Sequence, residues 1–298
     1  MDGIAGEFIT NRSAVGGMRV VCAGHVNWDV TFYVDRLPAP DDEAYIHERS
    51  AAGGGSAANT AVALASLSCE PRLLGSVGDD DTGGRVLEAL EDAGVETGIR
   101  IVDGEATTTK YVLVEDSGEV AVLGTDGANE ALRPGDIDST VLEDADALHL
   151  TGQRPDTAVR LAELADKNGV PVSFDPGRRL ADRDYEAVLA RRDLLFVTDR
   201  EAARIDTAGV PWRVRKHGTD GATLRCPDGT FEHAGYELPD VDSTGAGDAF
   251  AAGFLAVWLD DGNSERALSV ANACGAIVAS ERGPKPELSW ERIEAVMA

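Results

Sequence analysis

A short glycine-rich stretch near the C-terminus combines the residue types that an anion site with a built-in base would need. Residues 241–254 read VDSTGAGDAFAAGF, with Asp248 between a glycine turn and an apolar run. If the apolar run is a helix, the N–H groups of Gly245, Ala246 and Gly247 can point into one concavity at its positive end. Such a site makes sense if phosphate binds there while Asp248 accepts a proton from an attacking hydroxyl. The alternative is an ordinary helix start, with an acid in the first turn.

A second glycine cluster lies in residues 51–67, AAGGGSAANTAVALASL. Its glycines lead through Ser56, a favourable N-cap, into a predicted helix whose first turns carry Asn59. An amide on a helix otherwise lined with Ala, Val and Leu is better explained by a hydrogen bond to a ligand than by packing. The cluster can be aligned with a G-x-G-x-x-A dinucleotide-binding pattern. That pattern directly follows a strand, however, whereas two strand-like segments separate this cluster from the first predicted strand.

The familiar phosphoryl-transfer motifs do not occur in the chain. The dipeptide Gly-Lys is absent, so there is no Walker A loop, and neither H-R-D nor D-F-G is found. Phosphoryl transfer by this chain would need another scaffold.

Strand-like segments alternate with helical ones over most of the chain, and this alternation predicts the scaffold that holds both glycine turns. The predicted strands are 18–24, 71–77, 147–151, 170–174 and 194–197, and the predicted helices are 56–67, 82–93, 156–168 and 184–190. Further helices are predicted near the C-terminus at 248–260, at 265–280 and from Ser289. The pattern is typical of an α/β fold in three layers, with a mostly parallel sheet covered by helices on both faces.

Two regions interrupt this alternation and indicate a second, smaller sheet. Each contains two strand-like segments around a turn: 28–37 and 43–51 flank PAPDDE, and 107–116 and 119–126 flank Ser117-Gly118. Hairpins of this kind favour antiparallel pairing. We therefore expect an antiparallel lid, built from about 28–51 and 107–126, over the carboxyl ends of the parallel strands. The alternative is an ordinary extension of the main sheet.

The composition limits the classes of protein to which the chain can belong. Its 298 residues, 43% of them hydrophobic, can bury a large core, and 53 acidic residues oppose 27 basic ones. A surface this acidic repels nucleic acids and anionic membranes, so neither is an expected partner. The acids are dispersed along the chain, which favours a solvated surface suited to a salt-rich cytoplasm.

Other signals favour a single cytoplasmic domain. Four widely separated cysteines, without any C-x-x-C pair, predict reduced thiols rather than a zinc site. No apolar run approaches the roughly 18 residues of a membrane span, and no signal-peptide pattern precedes the first strand. That strand begins with its own Met18, so residues 1–17 are expected to be an extension without a catalytic role and residues 18–298 a single domain.

Together, the two glycine motifs resemble those of the ribokinase-like sugar and nucleoside kinases, the PfkB family, and in particular its archaeal members. GGGSAANTAVALA, from Gly53, is similar to the family's N-terminal signature, and DSTGAGDAFAAGF, from Asp242, to its C-terminal one. The resemblance covers essentially everything from Met18 onward, with shorter matches at GHVNWD, GSVGDDDTG, DGANEAL, FDPGRR and ANACGA. It implies a ribokinase-like fold and an enzyme that transfers the γ-phosphoryl group of ATP to a hydroxyl of a sugar or sugar derivative. A homodimer formed through the β lid is also expected.

The resemblance implies roles for individual residues. Asp248 would be the general base, and Gly245, Ala246 and Gly247 would form the anion hole for the transferring phosphoryl group. The residues implied to hold the acceptor are Asp29, Gly55, Ser56 and Asn59, and those implied to line the ATP site are Lys216, Gly218, Gly221 and Asn272.

The resemblance also implies metal sites. Glu201 occupies the acidic position of an N-x-x-E motif that organises hydrated Mg²⁺, although Thr198 stands where that motif has Asn. Asp242 and Thr244 match positions that ligate a monovalent cation, K⁺, in potassium-activated members.

The motifs leave the acceptor open. A free pentose or hexose, a nucleoside, and a sugar phosphate such as ribose 1-phosphate are all compatible with them. Arg154, Arg178 and Arg179 lie near predicted strand ends and are candidates for holding a phosphate already on the acceptor, because a guanidinium fork suits phosphate oxygens. Pairing with surface acids is the alternative for these arginines. A catalytically silent sugar- or nucleotide-binding sensor is the alternative function from another class.

Overall fold

A computed structural model of the chain describes residues 17–115, 119–205, 209–239, 241–282 and 288–298. The predicted extension 1–17 therefore lies outside the described residues except for Gly17, and so does the predicted Ser117-Gly118 turn. The role of the extension and the single domain over 18–298 stay predictions.

The described strands and helices follow the predicted alternation. The strands are β1 (Arg19–Ala23), β2 (Asn27–Val34), β3 (Ile46–Gly54), β4 (Glu70–Gly78), β5 (Glu96–Val102), β6 (Thr109–Glu115), β7 (Val120–Gly124), β8 (Ala147–Thr151), β9 (Val172–Asp175), β10 (Leu194–Thr198), β11 (Trp212–Lys216), β12 (Ala222–Cys226) and β13 (Gly229–His233). The α-helices are α1 (Ser56–Ser66), α2 (Asp81–Asp92), α3 (Pro155–Asn168), α4 (Glu186–Leu189), α5 (Asp199–Ala202), α6 (Ala246–Trp258), α7 (Ser264–Ala279) and α8 (Trp290–Met297). None of the helices within the described residues combines the length and apolarity that a membrane crossing requires.

The main sheet has nine strands in the order β13-β12-β11-β10-β9-β8-β1-β4-β5. Every pair from β11 to β5 runs parallel, and β12 and β13 are added antiparallel at one edge. The predicted mostly parallel sheet is confirmed. Strands β4 and β5 extend the sheet on one side of β1, and β8 and the later strands extend it on the other side. The direction in which strands are added therefore reverses between β1 and β8. In open α/β sheets, ligands bind outside the carboxyl ends of the strands at such a reversal, here between β1 and β8.

Helices cover both faces of this sheet, which confirms the three layers. Alternate residues of β1 enter two different cores: Val20 and Cys22 join the core that contains α1, α6 and α7, and Val21 and Ala23 join the core that contains α3. Helix α6 is buried continuously over residues 249–257, because its sequence is apolar on every side. At roughly 1.5–3 kcal/mol for each large apolar side chain, this burial fixes the position of the helix and of the glycine turn before it.

The small sheet has the order β3-β2-β6-β7. Both predicted hairpins are antiparallel, whereas β2 and β6, which join the hairpins, run parallel. The sheet is therefore mixed rather than wholly antiparallel. Strand alternation places Asp29 on the same face of β2 as Tyr33, whose ring is buried and whose hydroxyl donates to Asp242 Oδ2 at 2.8 Å. This face of the small sheet is directed at the start of α6.

Two helix starts differ from their prediction. The N-cap of α1 is Gly55 rather than Ser56, and no side chain caps the helix. Helix α6 begins at Ala246, two residues before the predicted start at Asp248, with Gly245 as its N-cap. The φ angles are 98° at Gly55 and 80° at Gly245, which glycine adopts without the steric cost of a Cβ. A glycine turn thus takes the place of a side-chain cap at both helices.

Candidate active site

The first turns of α1 and α6 meet, and two side chains join them. Asn59 Nδ2 donates to Asp248 Oδ2 at 2.6 Å. Asn59 is buried, and its Oδ1 has no hydrogen-bond partner among the described residues. Asn59 and Gly245 also line one small cavity. Leaving a buried amide oxygen unpartnered is costly, so a ligand that donates a hydrogen bond there would stabilise the site.

Backbone amides next to Asp248 are available to an anion. The N–H groups of Gly245 and Gly247 make no hydrogen bond within the part of the chain that the structure describes, whereas the Ala246 N–H donates to Ser243 O at 3.2 Å. The available amides lie at the positive end of α6. Of the three amides predicted to form the anion hole, the structure therefore leaves those of Gly245 and Gly247 open and engages that of Ala246 in the turn.

Lys216 places a buried cation against the same turn. It ends β11, and a Cβ built on Gly247 would lie 3.4 Å from Lys216 Nζ. The ammonium donates to Asp175 Oδ2 at 2.6 Å, and each side chain is only 12% exposed. Burial alone would lower the pKa of Lys216, but Asp175, with smaller contributions from Glu201 and Asp248, raises it above its usual value. Lys216 therefore stays charged beside the open amides.

The first glycine cluster lies where Asp29 can reach it from the small sheet. A Cβ built on Gly54 would lie 2.0 Å from Asp29 Oδ2, and one built on Gly55 would lie 2.3 Å from His25 O. Only glycine allows these close approaches. The structure thus brings the predicted acceptor residues Asp29, Gly55 and Asn59 to one region, whereas Ser56 is exposed at the start of α1.

Glu201 helps to start helix α5. Its Oε2 accepts from the Thr198 N–H at 2.8 Å, and Thr198 Oγ1 accepts from the Glu201 N–H at 3.3 Å, which forms a capping box. Thr198, at the position where the related motif has Asn, therefore still has a local partner. The buried Glu201 also interacts electrostatically with Lys216, which places it near the predicted anion hole.

Asp242 and Thr244 form a compact turn before α6. Asp242 is buried, its Oδ1 accepts from the Thr244 N–H at 2.9 Å, and its Oδ2 accepts from Tyr33. Sequence reasoning missed Tyr33, which lies more than 200 residues away on the small sheet. These bonds give Asp242 a role in shaping the turn, and the monovalent-cation site stays a prediction.

The residues expected to line the nucleotide lie on two separate elements, and only some of them are close to Lys216. Gly218 and Gly221 bracket the short turn between β11 and β12, directly after Lys216. Asn272 is buried on α7, and its Nδ2 donates to Leu268 O at 2.7 Å within that helix. One turn further along α7, a Cβ built on Gly275 would lie 3.3 Å from Ala246 O, so α7 passes the start of α6.

Of the arginines considered for an acceptor phosphate, Arg154 pairs with Asp156 at 2.8 Å and Arg178 is exposed. The side chain of Arg179 lies outside the described part of the chain. Sequence reasoning missed a fourth arginine, Arg183, whose side chain is largely buried and pairs with Glu130 at 2.6 Å. No local motif marks this pair, because its members come from distant segments.

A helix start with two open amides and a carboxylate in its first turn fits a phosphotransferase that acts on a hydroxyl. Such transfer needs positioning, charge neutralisation and a base rather than a covalent nucleophile. The family model described as pfkB family carbohydrate kinase matches residues 18–291, and the chain therefore belongs to this family. It is an ATP-dependent kinase that transfers a phosphoryl group to a hydroxyl of a sugar or sugar derivative. The predicted family and reaction are confirmed, and the silent-sensor alternative is set aside.

Individual relatives agree with this assignment. The chain is 52% identical over 291 residues to an ATP-dependent ribose-1-phosphate kinase from the halophile Halopiger xanaduensis, covering 94% of this chain and 98% of the relative. The ribokinase of Arabidopsis thaliana solved with ribose and ATP superposes with a TM-score of 0.82 at 24% identity, covering 95% of this chain and 99% of that one. A proposed ribokinase II from E. coli solved with ATP and Mg²⁺ has a TM-score of 0.82 at 23% identity, covering 94% and 99%. The two structures confirm the ribokinase-like fold.

Proposed function

We propose that the chain phosphorylates ribose 1-phosphate, a pentose that already carries a phosphate, with Asp248 as the general base. The observation that carries the reaction is the 2.6 Å bond from Asn59 to Asp248 beside the open amides of Gly245 and Gly247. The choice of acceptor is supported by the relative from Halopiger xanaduensis, which is 52% identical over 94% of the chain.

In the proposed mechanism, Asp248 receives the proton of the acceptor hydroxyl. As the hydroxyl oxygen bonds to the γ-phosphorus of ATP, the bond from that phosphorus to the oxygen bridging the β-phosphate breaks. An alcohol has a pKa far above neutrality, so its proton passes to Asp248 as the new bond forms rather than beforehand. Asn59 positions the carboxylate through Nδ2 and offers Oδ1 to a hydroxyl of the acceptor, beside Asp29 and Gly55.

Charge on the transferring phosphoryl group would be met by the amides of Gly245 and Gly247 and by the Lys216 ammonium. Bound Mg²⁺ would neutralise the phosphates of ATP. Within the described residues, no group of three His, Cys, Asp or Glu side chains could hold a metal, which fits an ion held by ATP and water with Glu201 in its outer shell. K⁺ would be held at the turn of Asp242 and Thr244.

The turn of Gly218 and Gly221 and the buried Asn272 would contact the nucleotide, with Lys216 reaching its phosphates. The small sheet would close over the acceptor and exclude water. The excess of 53 acids over 27 bases argues against nucleic-acid or anionic-membrane partners and suits a cytoplasmic enzyme.

An acceptor screen with ATP and Mg²⁺ in molar KCl tests the proposed reaction. Of ribose, fructose, nucleosides and ribose 1-phosphate, the last is expected to have the highest kcat/KM. Asp248→Asn should lower kcat by about hundredfold or more, because a general base contributes that much, while ATP still binds. Asp228→Asn, at an exposed position, is the matched control and should keep full activity. If Asp248→Asn retains more than a few per cent of wild-type kcat, Asp248 is not the base.

A further inference from the structure

We propose that Arg183, His25 and Arg154 form a subsite for the phosphate that the acceptor already carries, with Glu130 holding the His25 and Arg183 side chains in place when the subsite is empty. The proposal rests on the proposed function and deepens it, because it names the side chains that would distinguish a sugar phosphate from a free sugar.

The subsite is organised around one carboxylate oxygen. Glu130 Oε1 is 2.6 Å from both His25 Nε2 and Arg183 Nη2. Burial by itself would raise the pKa of Glu130, but the hydrogen bonds and charges of His25 and Arg183 lower it to about 2. Glu130 is therefore ionised under all physiological conditions, and it keeps both partners in a fixed position.

Arg183 has one donor group, Nη1, without a hydrogen bond, although its guanidinium also interacts with the Tyr185 hydroxyl. Its side chain is 12% exposed, and its Nη1 is buried without a hydrogen-bond partner among the described residues. A guanidinium binds phosphate with two parallel N–H groups, and Glu130 engages only Nη2. A phosphate oxygen at Nη1 would satisfy the remaining donor.

The position of these residues matches the reversal of strand order in the main sheet. His25 follows β1 and Arg154 follows β8, the two strands that flank the reversal. His25 also connects the subsite to the acceptor region, because its carbonyl lies directly under Gly55. The Arg154 guanidinium interacts electrostatically with both Glu130 and Arg183, so the three groups share one neighbourhood.

Polar contacts link this neighbourhood to the small sheet. The Val26 N–H donates to Asn129 Oδ1 at 3.1 Å, and Asn129 Nδ2 donates to Asn27 Oδ1. Asn27 begins β2, the strand that carries Asp29. A pentose held by Asp29 and Asn59 would thus have the proposed subsite at one end and Asp248 at the other.

The two arginines favour a phosphate over a neutral group. Glu130 pairs with Arg183 and Asp156 pairs with Arg154, so the charges of the two pairs cancel while the subsite is empty. Arg183 and Arg154 nevertheless lie within electrostatic range of each other, which is unusual in a chain with a net charge of −26. A phosphate monoester would share both guanidinium groups with the two acids, whereas a free sugar carries no charge to attract them.

Two substitutions with opposite expected effects test the subsite in the intact enzyme. Arg183→Gln should raise the KM for ribose 1-phosphate by roughly ten- to hundredfold, since a charge-assisted hydrogen bond is lost, and should leave the KM for ATP unchanged. Glu130→Gln keeps a similar shape but removes the competing negative charge, so it should lower the KM for ribose 1-phosphate. Arg266→Gln, which breaks the exposed pair with Asp261, is the matched control and should change neither KM.

Measurements with ribose as acceptor separate phosphate recognition from a general loss of structure. Arg183→Gln should leave kcat/KM for ribose unchanged, and thermal melting should confirm that the variants are folded. The subsite is disproved if both substitutions shift the KM values for ribose and ribose 1-phosphate equally, or if folded Arg183→Gln binds ribose 1-phosphate normally. An effect on the KM for ATP alone would assign these side chains to the nucleotide and also overturn the proposal. If the wild-type enzyme does not use ribose 1-phosphate at all, the proposed function fails instead.

Discussion

At the scale of single residues, Lys216 forms a largely buried ion pair at a position where a charged group is proposed to be transferred. Its ammonium is held by Asp175 at 2.6 Å, beside Gly247 and its open amide. A buried pair of this kind is weak support for stability, because desolvation offsets much of the attraction. Its position is better explained by a role in phosphoryl transfer. When ATP binds, the Lys216 ammonium would interact with the phosphoryl group as well as with Asp175.

We therefore predict that Lys216→Met lowers kcat by about hundredfold, the effect expected when one preorganised donor to a transition-state charge is removed. The KM for the acceptor should change little, because Lys216 lies beside Gly247, in the proposed anion hole, rather than at the first glycine cluster. Steady-state kinetics on Lys216→Met and on the exposed control Lys167→Met would measure this. Equal kcat values for the two variants would show that Lys216 has only a structural role.

The sequence predicted those site residues that lie within a motif and missed those that are joined only by the fold. Asp248 and Asn59 belong to different signatures, and the prediction that both serve one site agrees with their 2.6 Å contact. Arg183 and Tyr33 have no local pattern, because their partners Glu130 and Asp242 are 53 and 209 residues away. Pairs so distant in sequence have no characteristic spacing, so the sequence alone does not reveal them.

At the scale of elements, the small sheet has two faces with different properties. The inner face carries Asp29 and Tyr33, and the outer face exposes apolar side chains. Tyr111 and Leu123 are directly opposed on β6 and β7, and they are 37% and 62% exposed. Phe32 stacks on Tyr111 with ring centroids 6.3 Å apart. A contiguous exposed apolar surface is typical of a protein interface, and a second copy of the chain is the partner that we expect.

We predict that the protein is a homodimer through this outer face and that Leu123→Glu converts it to a monomer, because the interface would have to bury an unpaired charge. Ile101→Glu, on the edge strand β5 of the main sheet, is the matched control, since Ile101 is 53% exposed. Light scattering after gel filtration in molar KCl would give both masses. A monomeric wild-type protein, or a dimer that persists in Leu123→Glu, would contradict the prediction.

Regular elements were predictable where hydrophobic periodicity was strong, and their ends were not. The predicted helix 56–67 agrees closely with α1, but the N-cap of α1 is Gly55 rather than the expected Ser56, and α6 begins two residues before its predicted start at Asp248. Both N-caps are glycines with positive φ angles, which a rule based on polar N-cap residues does not anticipate. The parallel pairing of β2 with β6 was also missed. Each hairpin is defined by its own turn, whereas the pairing between hairpins depends on contacts distant in sequence.

At the scale of the whole molecule, the charge distribution sets the conditions in which the fold is stable. The net charge is −26, and many of the described arginines are already committed to exposed ion pairs, such as those of Arg36, Arg100 and Arg292. Exposed pairs of this kind contribute about 0–1 kcal/mol each and weaken as salt rises. The unpaired excess of acids remains, and its mutual repulsion destabilises the compact state in dilute buffer.

We predict that the melting temperature rises between dilute buffer and molar KCl, because the Debye length falls to about 3 Å near 1 M and repulsion between the acids is screened. The loss of the exposed ion pairs acts in the opposite direction, but it is the smaller effect where acids outnumber bases 53 to 27. Replacing Glu88, Glu91 and Asp92, which are exposed on α2, with Gln, Gln and Asn should raise the melting temperature in dilute buffer and reduce its dependence on salt. Scanning calorimetry of both proteins over a KCl series would test this. If the melting temperatures of the two proteins rise equally steeply with KCl concentration, salt acts through bound ions or hydration rather than by screening repulsion. If the wild-type melting temperature does not rise at all, the case for a salt-rich cytoplasm is lost.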